Sequence, residues 1–371
     1  TGNMHILVTA DTLGGVWTYT RELVTGLVRR GDQVTLVSFG DIPTAAQTRW
    51  MDGLANLDYR PTAFKLEWML DSEADMEASS QYLEALVKES RPDLLHFSQF
   101  YYGALNCDVP RIVVAHSDVV SWWMSVHRQL PPETDWLGWY RNVVARGLRE
   151  ATSVVAPSRW MLDQIESHFG NLASTCVIHN GRTPTLFNPY ITKQETIVTL
   201  GRLWDSGKNV SLLLRQQMPG SVHIVGCDRH PDSQTHAFVA ESIRPNVALD
   251  PQQDDRQIAQ TLARAGIYAA TSQYEPFGLA PVEAALSRCA IVASDIPSFR
   301  ELWDGAATFF RNNDPDSLSQ ALESLQRDRG FRLNQGNLAF RHARQHFTAD
   351  RMVAAYKNLY QSLAPAQALS A

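Results

Sequence analysis

Short β-rich runs alternate with helical periodicity along this chain, and the alternation starts afresh past the middle. The run His5-Ile6-Leu7-Val8-Thr9 has the composition of a buried strand, and a loop at 11–15 (DTLGG) follows it. Val16, Tyr19, Thr20, Leu23, Val24, Leu27 and Val28 then recur at helical spacing until Gly31, and a second strand spans Val34 to Phe39. A strand, a helix and a strand in so few residues make a βαβ unit, whose crossover is right-handed and whose strands are parallel. Further buried strands are expected at 93–97, 111–115, 153–156 and 176–179. After the turn-rich stretch 180–195, with Pro184 and Pro189, the pattern resumes at 196–200, 222–225, 246–249, 267–271 and 290–293. The expected fold class is therefore α/β with two parallel sheets: an N-terminal domain over 4–187 and a C-terminal domain over 188–345. The closing segment 346–371 has an apolar stripe at Met352, Tyr356, Leu359 and Leu363, so it is expected to dock back on the N-terminal domain, with a frayed tail from 364.

Composition removes several function classes. At 371 residues with 44% hydrophobic and 19% charged residues, the chain can bury two cores. Its net charge of −6, from 33 Lys+Arg against 39 Asp+Glu, argues against nucleic acid as a partner, because phosphate-tracking surfaces need a basic excess. Any anionic ligand must be held by a few placed cations and by backbone N–H groups. Cys107, Cys176, Cys227 and Cys289 include no C-x-x-C pair, so neither a zinc site nor a disulfide framework is expected, and a reducing cytosol is the simplest setting. No apolar run approaches 18 residues and no secretory signal is seen, with Thr1-Gly2-Asn3 set aside as a remnant ahead of Met4. Peripheral contact with the inner face of a membrane stays open, and so does the oligomeric state.

The densest chemistry lies at 266–283 (GIYAATSQYEPFGLAPVE). A strand runs into the loop Glu275-Pro276-Phe277-Gly278-Leu279 and then into a helix with Pro281 in its first turn, where a missing N–H costs nothing. Gly278 lets backbone approach a ligand closely, and the positive end of the new helix suits a diphosphate. Glu275 and Glu283 flank that seat as acceptors for sugar hydroxyls; as a lone pair of glutamates they would more often be a cap and a solvated residue. Arg202 and Lys208, in 200–209 (LGRLWDSGKN), sit just past another strand's carboxyl end, where open α/β sheets bind ligands. Two cations there can neutralise a diphosphate or, more blandly, form a surface ion-pair cluster.

These segments resemble the retaining glycosyltransferases of family four, with their E-x7-E motif, at Glu275 through Glu283, and the resemblance runs over nearly the whole chain. It implies a GT-B architecture, two Rossmann-like domains facing across a cleft, with the acceptor on the N-terminal side and the donor on the C-terminal side. It also implies that Glu275 faces the donor sugar hydroxyls, that Glu283 binds the nucleotide ribose, and that the N–H groups of Phe277, Gly278 and Leu279 line the sugar–diphosphate. Arg202 and Lys208 would stabilise the departing diphosphate. Gly14-Gly15 would bring backbone to the diphosphate from the first domain, and His116, at the end of strand 111–115, would meet the donor sugar. His116-Ser117-Asp118 has one residue inserted relative to the family's His-Asp, so Asp118 is not carried over as a site residue.

Trp122 and Trp123 follow closely and are candidates to line an acceptor cleft, whereas Trp136 and Trp139 share a helical face with Val143 and suit core packing. Departures from the family sit at Arg288-Cys289, at Pro297-Ser298-Phe299 before Glu301, and at His179-Asn180-Gly181-Arg182, where Pro-Asn-Gly-Val is common. The expected activity is a retaining, metal-independent hexosyltransferase that needs no cofactor. It would move a sugar from a nucleotide-diphosphate sugar, with a uridine donor expected, to the hydroxyl of a small molecule, lipid or glycan. Asp314-Pro315-Asp316 has metal-motif spacing but is better explained as a helix cap. A sugar-nucleotide epimerase on the same fold and a non-catalytic nucleotide-sugar binding protein are the competing readings. A dehydrogenase is remote, because the first loop is not G-x-G-x-x-G.

Overall fold

A computed structural model describes residues 2–226 and 243–364; Cys227 and the tail expected to fray lie outside the described residues, apart from Ala364. The described chain divides into two compact units. One comprises residues up to 124, 129–180 and the C-terminal segment from Ala349, and the other comprises 125–128 and 181–348.

The first unit holds a seven-stranded parallel sheet in the order β3-β2-β1-β4-β5-β6-β7. Its strands are β1 (His5–Asp11), β2 (Gln33–Phe39), β3 (Leu57–Pro61), β4 (Leu94–Phe97), β5 (Arg111–Val114), β6 (Ser153–Ala156) and β7 (Thr175–Val177). The central strands are buried on both faces, which is why they read as unbroken apolar runs rather than alternating ones. Leu7, Val37, Leu95, Val113 and Val154 meet in one core beneath the helices Glu73–Ser90, Asp135–Glu150 and Arg159–Phe169. β3 was not legible from apolar runs because it is an edge strand, half-buried and carrying Arg60 and Pro61.

The helix Gly15–Arg29 buries Tyr19, Leu23, Val24, Leu27 and Val28, the face its spacing predicts. The C-terminal helix Ala349–Leu363 packs on it: a Cβ on Gly26 would lie 2.5 Å from Val353. Lys357 Nζ also donates to the buried Asp32 carboxylate at 2.7 Å. Its buried stripe is Met352, Val353, Tyr356 and Tyr360, so Leu359 and Leu363 lie at the edge of the contact. Steps of four residues keep 352, 356 and 360 above one another on the helix.

The second unit holds a six-stranded parallel sheet in the order β10-β9-β8-β11-β12-β13. The strands are β8 (Thr196–Leu200), β9 (Ser221–Val225), β10 (Val247–Asp250), β11 (Ile267–Ala270), β12 (Ala290–Ser294) and β13 (Thr308–Phe310). Successive residues of a strand point to opposite faces, so Ile197, Ile267, Ala269 and Val292 build one core while Val198, Tyr268, Ala270 and Ile291 build the other. Residues 181–187 go with this unit: Arg182 N–H donates to Phe347 O at 3.0 Å, and Phe187 is buried in the second of those cores. No described helix is long and apolar enough to cross a membrane.

Candidate functional site

The site is built at the carboxyl edge of the second unit's sheet, where β8 and β11 lie side by side. β11 ends at Ala270, and after the loop 271–278 the helix Leu279–Leu286 begins. Gly278 is its N-cap at φ +86, a conformation strained for any residue with a side chain. The helix starts without a side-chain cap and with no acidic residue in its first turn, and the Glu275 side chain lies against its N-cap Gly278. Phe277 is buried and packs edge-on against Phe347 at 5.3 Å, which anchors the loop to the core.

The segment after β8 is clipped onto this loop. Gly207 O accepts from Gln273 N at 2.8 Å and from Tyr274 N at 3.2 Å, and Lys208 O accepts from Thr271 Oγ1 at 2.9 Å. Those bonds bring Lys208 beside a residue 67 positions away: its Nζ forms an ion pair with Glu275 Oε2. Ser272 Oγ donates to the same carboxylate oxygen at 3.2 Å, and Ser298 Oγ donates to the Glu275 carbonyl at 2.6 Å. Lys208, Tyr268, Thr271, Ser272, Glu275 and Gly278 line one pocket. Burial pushes the Tyr268 phenol up, so it stays protonated and acts only as a neutral hydrogen-bonding group.

Arg202 is held differently. Its guanidinium pairs with Asp205 at 2.9 Å, lies over the Trp204 ring at 5.4 Å, and remains nearly half exposed. Glu283, on the helix Leu279–Leu286, is almost buried and pairs with the buried Arg182 at 3.0 Å. The structure thus gathers Lys208, Glu275, Phe277, Gly278, Leu279 and Glu283 around one helix start. Arg202 stands at the neighbouring strand end, turned to its own Asp205.

The remaining candidates, Asp314 apart, belong to the first unit. Gly14 is the N-cap of the Gly15–Arg29 helix at φ 64. His116 follows β5, makes a 3.2 Å hydrogen bond with Ser98 Oγ, and meets Tyr19 edge-on at 4.6 Å. Burial pushes its pKa down to about 3, so the ring is neutral at ordinary pH. Asp118 caps the next helix by accepting from Ser121 N at 2.8 Å. Trp122 and Trp123 are half-buried and in edge-on contact at 6.4 Å, while Trp136 and Trp139 pack against the first unit's core. Asp314 accepts from Ser317 N at 2.9 Å as a helix cap.

Ser272, Ser298, Asp205 and Arg182 were not among the candidates. Ser272 lies inside the segment already singled out, and Ser298 and Arg182 stand at two of the departures from the family pattern. Polar residues at such departures, bordering a motif, were the available signal.

Residues 13–185 match the family model described as Glycosyltransferase Family 4, and residues 189–342 match the one described as Glycosyl transferases group 1. A lipopolysaccharide core biosynthesis mannosyltransferase from Rhizobium leguminosarum bv. viciae is 35% identical over 102 residues, 27% of this chain and 29% of that protein. The chain spans less than a third of the curated relatives it matches first. A sucrose-phosphate synthase from Thermosynechococcus elongatus superposes with a TM-score of 0.80 at 17% identity, covering 97% of this chain and 99% of that one. Anabaena HepE in complex with UDP and glucose superposes at 0.75, also at 17% identity, covering 97% and 100%.

Proposed function

We propose that this chain, which belongs to the GT-B glycosyltransferases, transfers a sugar from a nucleotide-diphosphate donor to a hydroxyl acceptor with retention at the anomeric carbon. The single observation carrying this reading is the pairing of Lys208 with Glu275 at an uncapped helix start, with Glu283 on the same helix. A diphosphate seated there would draw the Lys208 ammonium from the carboxylate and meet the helix's leading N–H groups. Arg202 would add a second cation. Glu275 would then accept hydrogen bonds from sugar hydroxyls, and Glu283 from the ribose.

In the transfer step the bond between the anomeric carbon and the diphosphate oxygen breaks, and the acceptor oxygen bonds to that carbon from the same face. The acceptor's proton passes to the leaving diphosphate, so no protein nucleophile is required. Charge on the leaving group is the main barrier, and fixed cations lower it without reorganising. Neutral His116 and the Gly14-Gly15 loop are assigned to the sugar and diphosphate, and Trp122 and Trp123 to the acceptor. The solved HepE complex supports a uridine donor; the mannosyltransferase relative is the reason to test guanosine donors beside it.

Calorimetric titration with UDP-, GDP- and ADP-sugars, then acceptor trials with the best binder, tests the reading. Lys208→Ala is expected to slow transfer by about a hundredfold or more, the scale for removing one transition-state charge partner. Glu283→Ala is expected to weaken nucleotide binding about tenfold or more, as loss of a charge-assisted hydrogen bond does. Transfer should persist in excess EDTA, since side-chain cations take the metal's part. If both variants bind and turn over like the parent, the assignment fails; loss of activity on chelation overturns metal independence.

A further inference from the structure

Arg182 stands where the family commonly has an apolar residue, and only 3% of its side chain is exposed. Three elements of the second unit hold it. Its main chain donates to Phe347 O at 3.0 Å and forms an isolated parallel bridge with Thr348. Its guanidinium lies over the Phe187 ring at 5.4 Å, and its Nε stands 3.0 Å from Glu283 Oε1, an ion pair by distance without the alignment of a hydrogen bond. Phe347 in turn packs on Phe277, inside the motif loop. The cation is therefore fixed by main chain and ring before any ligand arrives.

A carboxylate as buried as Glu283, 11% exposed, pays a large desolvation cost unless a cation stands against it. Without that cation the carboxylate loses a contact that fixes its direction. We propose that Arg182 is a positioning residue that holds Glu283 in one orientation, so that the vicinal hydroxyls of a nucleotide's ribose meet a preformed acceptor. The proposal rests on the donor reading above, which places Glu283 on the ribose. It adds that the ribose contact depends on a second residue, buried behind Glu283.

The test separates the ribose from the rest of the nucleotide. UDP, GDP and ADP are titrated calorimetrically against the parent, and the best binder is then compared with its 2′,3′-dideoxy counterpart. The parent is expected to prefer the ribose form by about tenfold to a hundredfold, the range for hydrogen bonds to a charged group. In Arg182→Met that preference should fall to about twofold or less, while affinity for the dideoxy nucleotide stays within about twofold of the parent, because nothing on the base or diphosphate has changed. Arg182→Lys, which keeps the charge and loses the planar fork, should lie between the two. Should Arg182→Met fail to fold, Arg182→Lys decides alone: an unchanged preference overturns the proposal and a preference cut about threefold or more supports it, since charge without fork geometry orients poorly. Equal weakening of both nucleotides also overturns it, because that is what a merely structural arginine would produce. A parent that binds none of the three diphosphates removes the donor reading itself. One that binds without preferring ribose removes Glu283 from the ribose and this inference with it.

Discussion

Glu67 lies outside every motif, yet its surroundings alter its carboxylate strongly. It is 4% exposed, and its two oxygens accept from Phe100 N at 2.8 Å and Tyr101 N at 2.7 Å. Desolvation outweighs those two bonds, the Asp11 charge adds to it, and the pKa is pushed up to about 7 from an ordinary 4.5. A raised carboxyl pKa means that the folded protein holds the proton more tightly. The stabilisation is therefore complete below about pH 4.5 and is lost as pH rises through about 7. Full ionisation costs about 3 kcal/mol relative to the protonated state, from about 1.4 kcal/mol per pKa unit. Glu67→Gln loses one acceptor, a penalty independent of pH, but it cannot ionise. Thermal melts of both proteins from pH 5 to 9 should show the variant's deficit shrinking as pH rises; a constant deficit would remove the buried-proton account. Sequence could not reveal this residue, because Phe100 and Tyr101 reach it from 33 and 34 positions away. Glu275 and Glu283 were legible because their spacing, glycine and proline sit in one unbroken stretch.

At the scale of elements, what decides is how close backbones come. A Cβ on Gly278 would sit 3.0 Å from Glu275 Cγ and 3.4 Å from Pro281 Cδ. Gly278→Ala therefore combines a left-handed backbone, costing about 1–2 kcal/mol, with pressure on the carboxylate that pairs with Lys208. Denaturant melts should show that modest loss. Nucleoside diphosphate affinity should drop about tenfold, because a misplaced charge partner loses a charged hydrogen bond. A variant less stable but binding normally would show that Gly278 serves the turn alone. Gly147 is the contrasting case. A Cβ there would lie 1.8 Å from Phe100 O, so the helix Asp135–Glu150 touches the turn Tyr101–Ala104 backbone to backbone. That contact fixes the Phe100–Tyr101 amides on Glu67. Most strands were visible as apolar runs, the edge strands β7 and β10 among them; β3, broken by Asp58, Arg60 and Pro61, and β13, only three residues long, were not. The close approach at Gly147 was not visible either, because a glycine in a helical pattern does not say what lies across from it.

At the scale of the whole chain, the cores of the two units divide the work. The first unit's core is built around Leu7, Leu95 and Val113, and the second unit's cores around Val198, Ile291 and Ile267. Apart from the short piece 125–128, the chain passes between them at Asn180–Gly181 and at Thr348–Ala349. The restart of the βαβ pattern made the two-unit organisation readable. The place of the crossing was not readable, because Arg182 joins the second unit through Phe347 and Glu283, contacts distant in sequence. Every group proposed to grip the nucleotide in that unit lies within 181–348, so binding energy enters the folding equilibrium of that unit. At a free UDP concentration about a hundred times Kd the gain is about 2.7 kcal/mol, a factor of about a hundred in the opening equilibrium. Hydrogen exchange reads this peptide by peptide, since amides in strand cores exchange only through large openings. Peptides from β8, β11 and β12 should slow by up to that factor with UDP, and peptides from β1, β4 and β5 should change far less. Glu283→Ala should abolish most of the slowing at the same nucleotide concentration. Equal protection of both sets would mean that nucleotide energy is stored across both cores, and the seat assigned to the second unit would have to be redrawn.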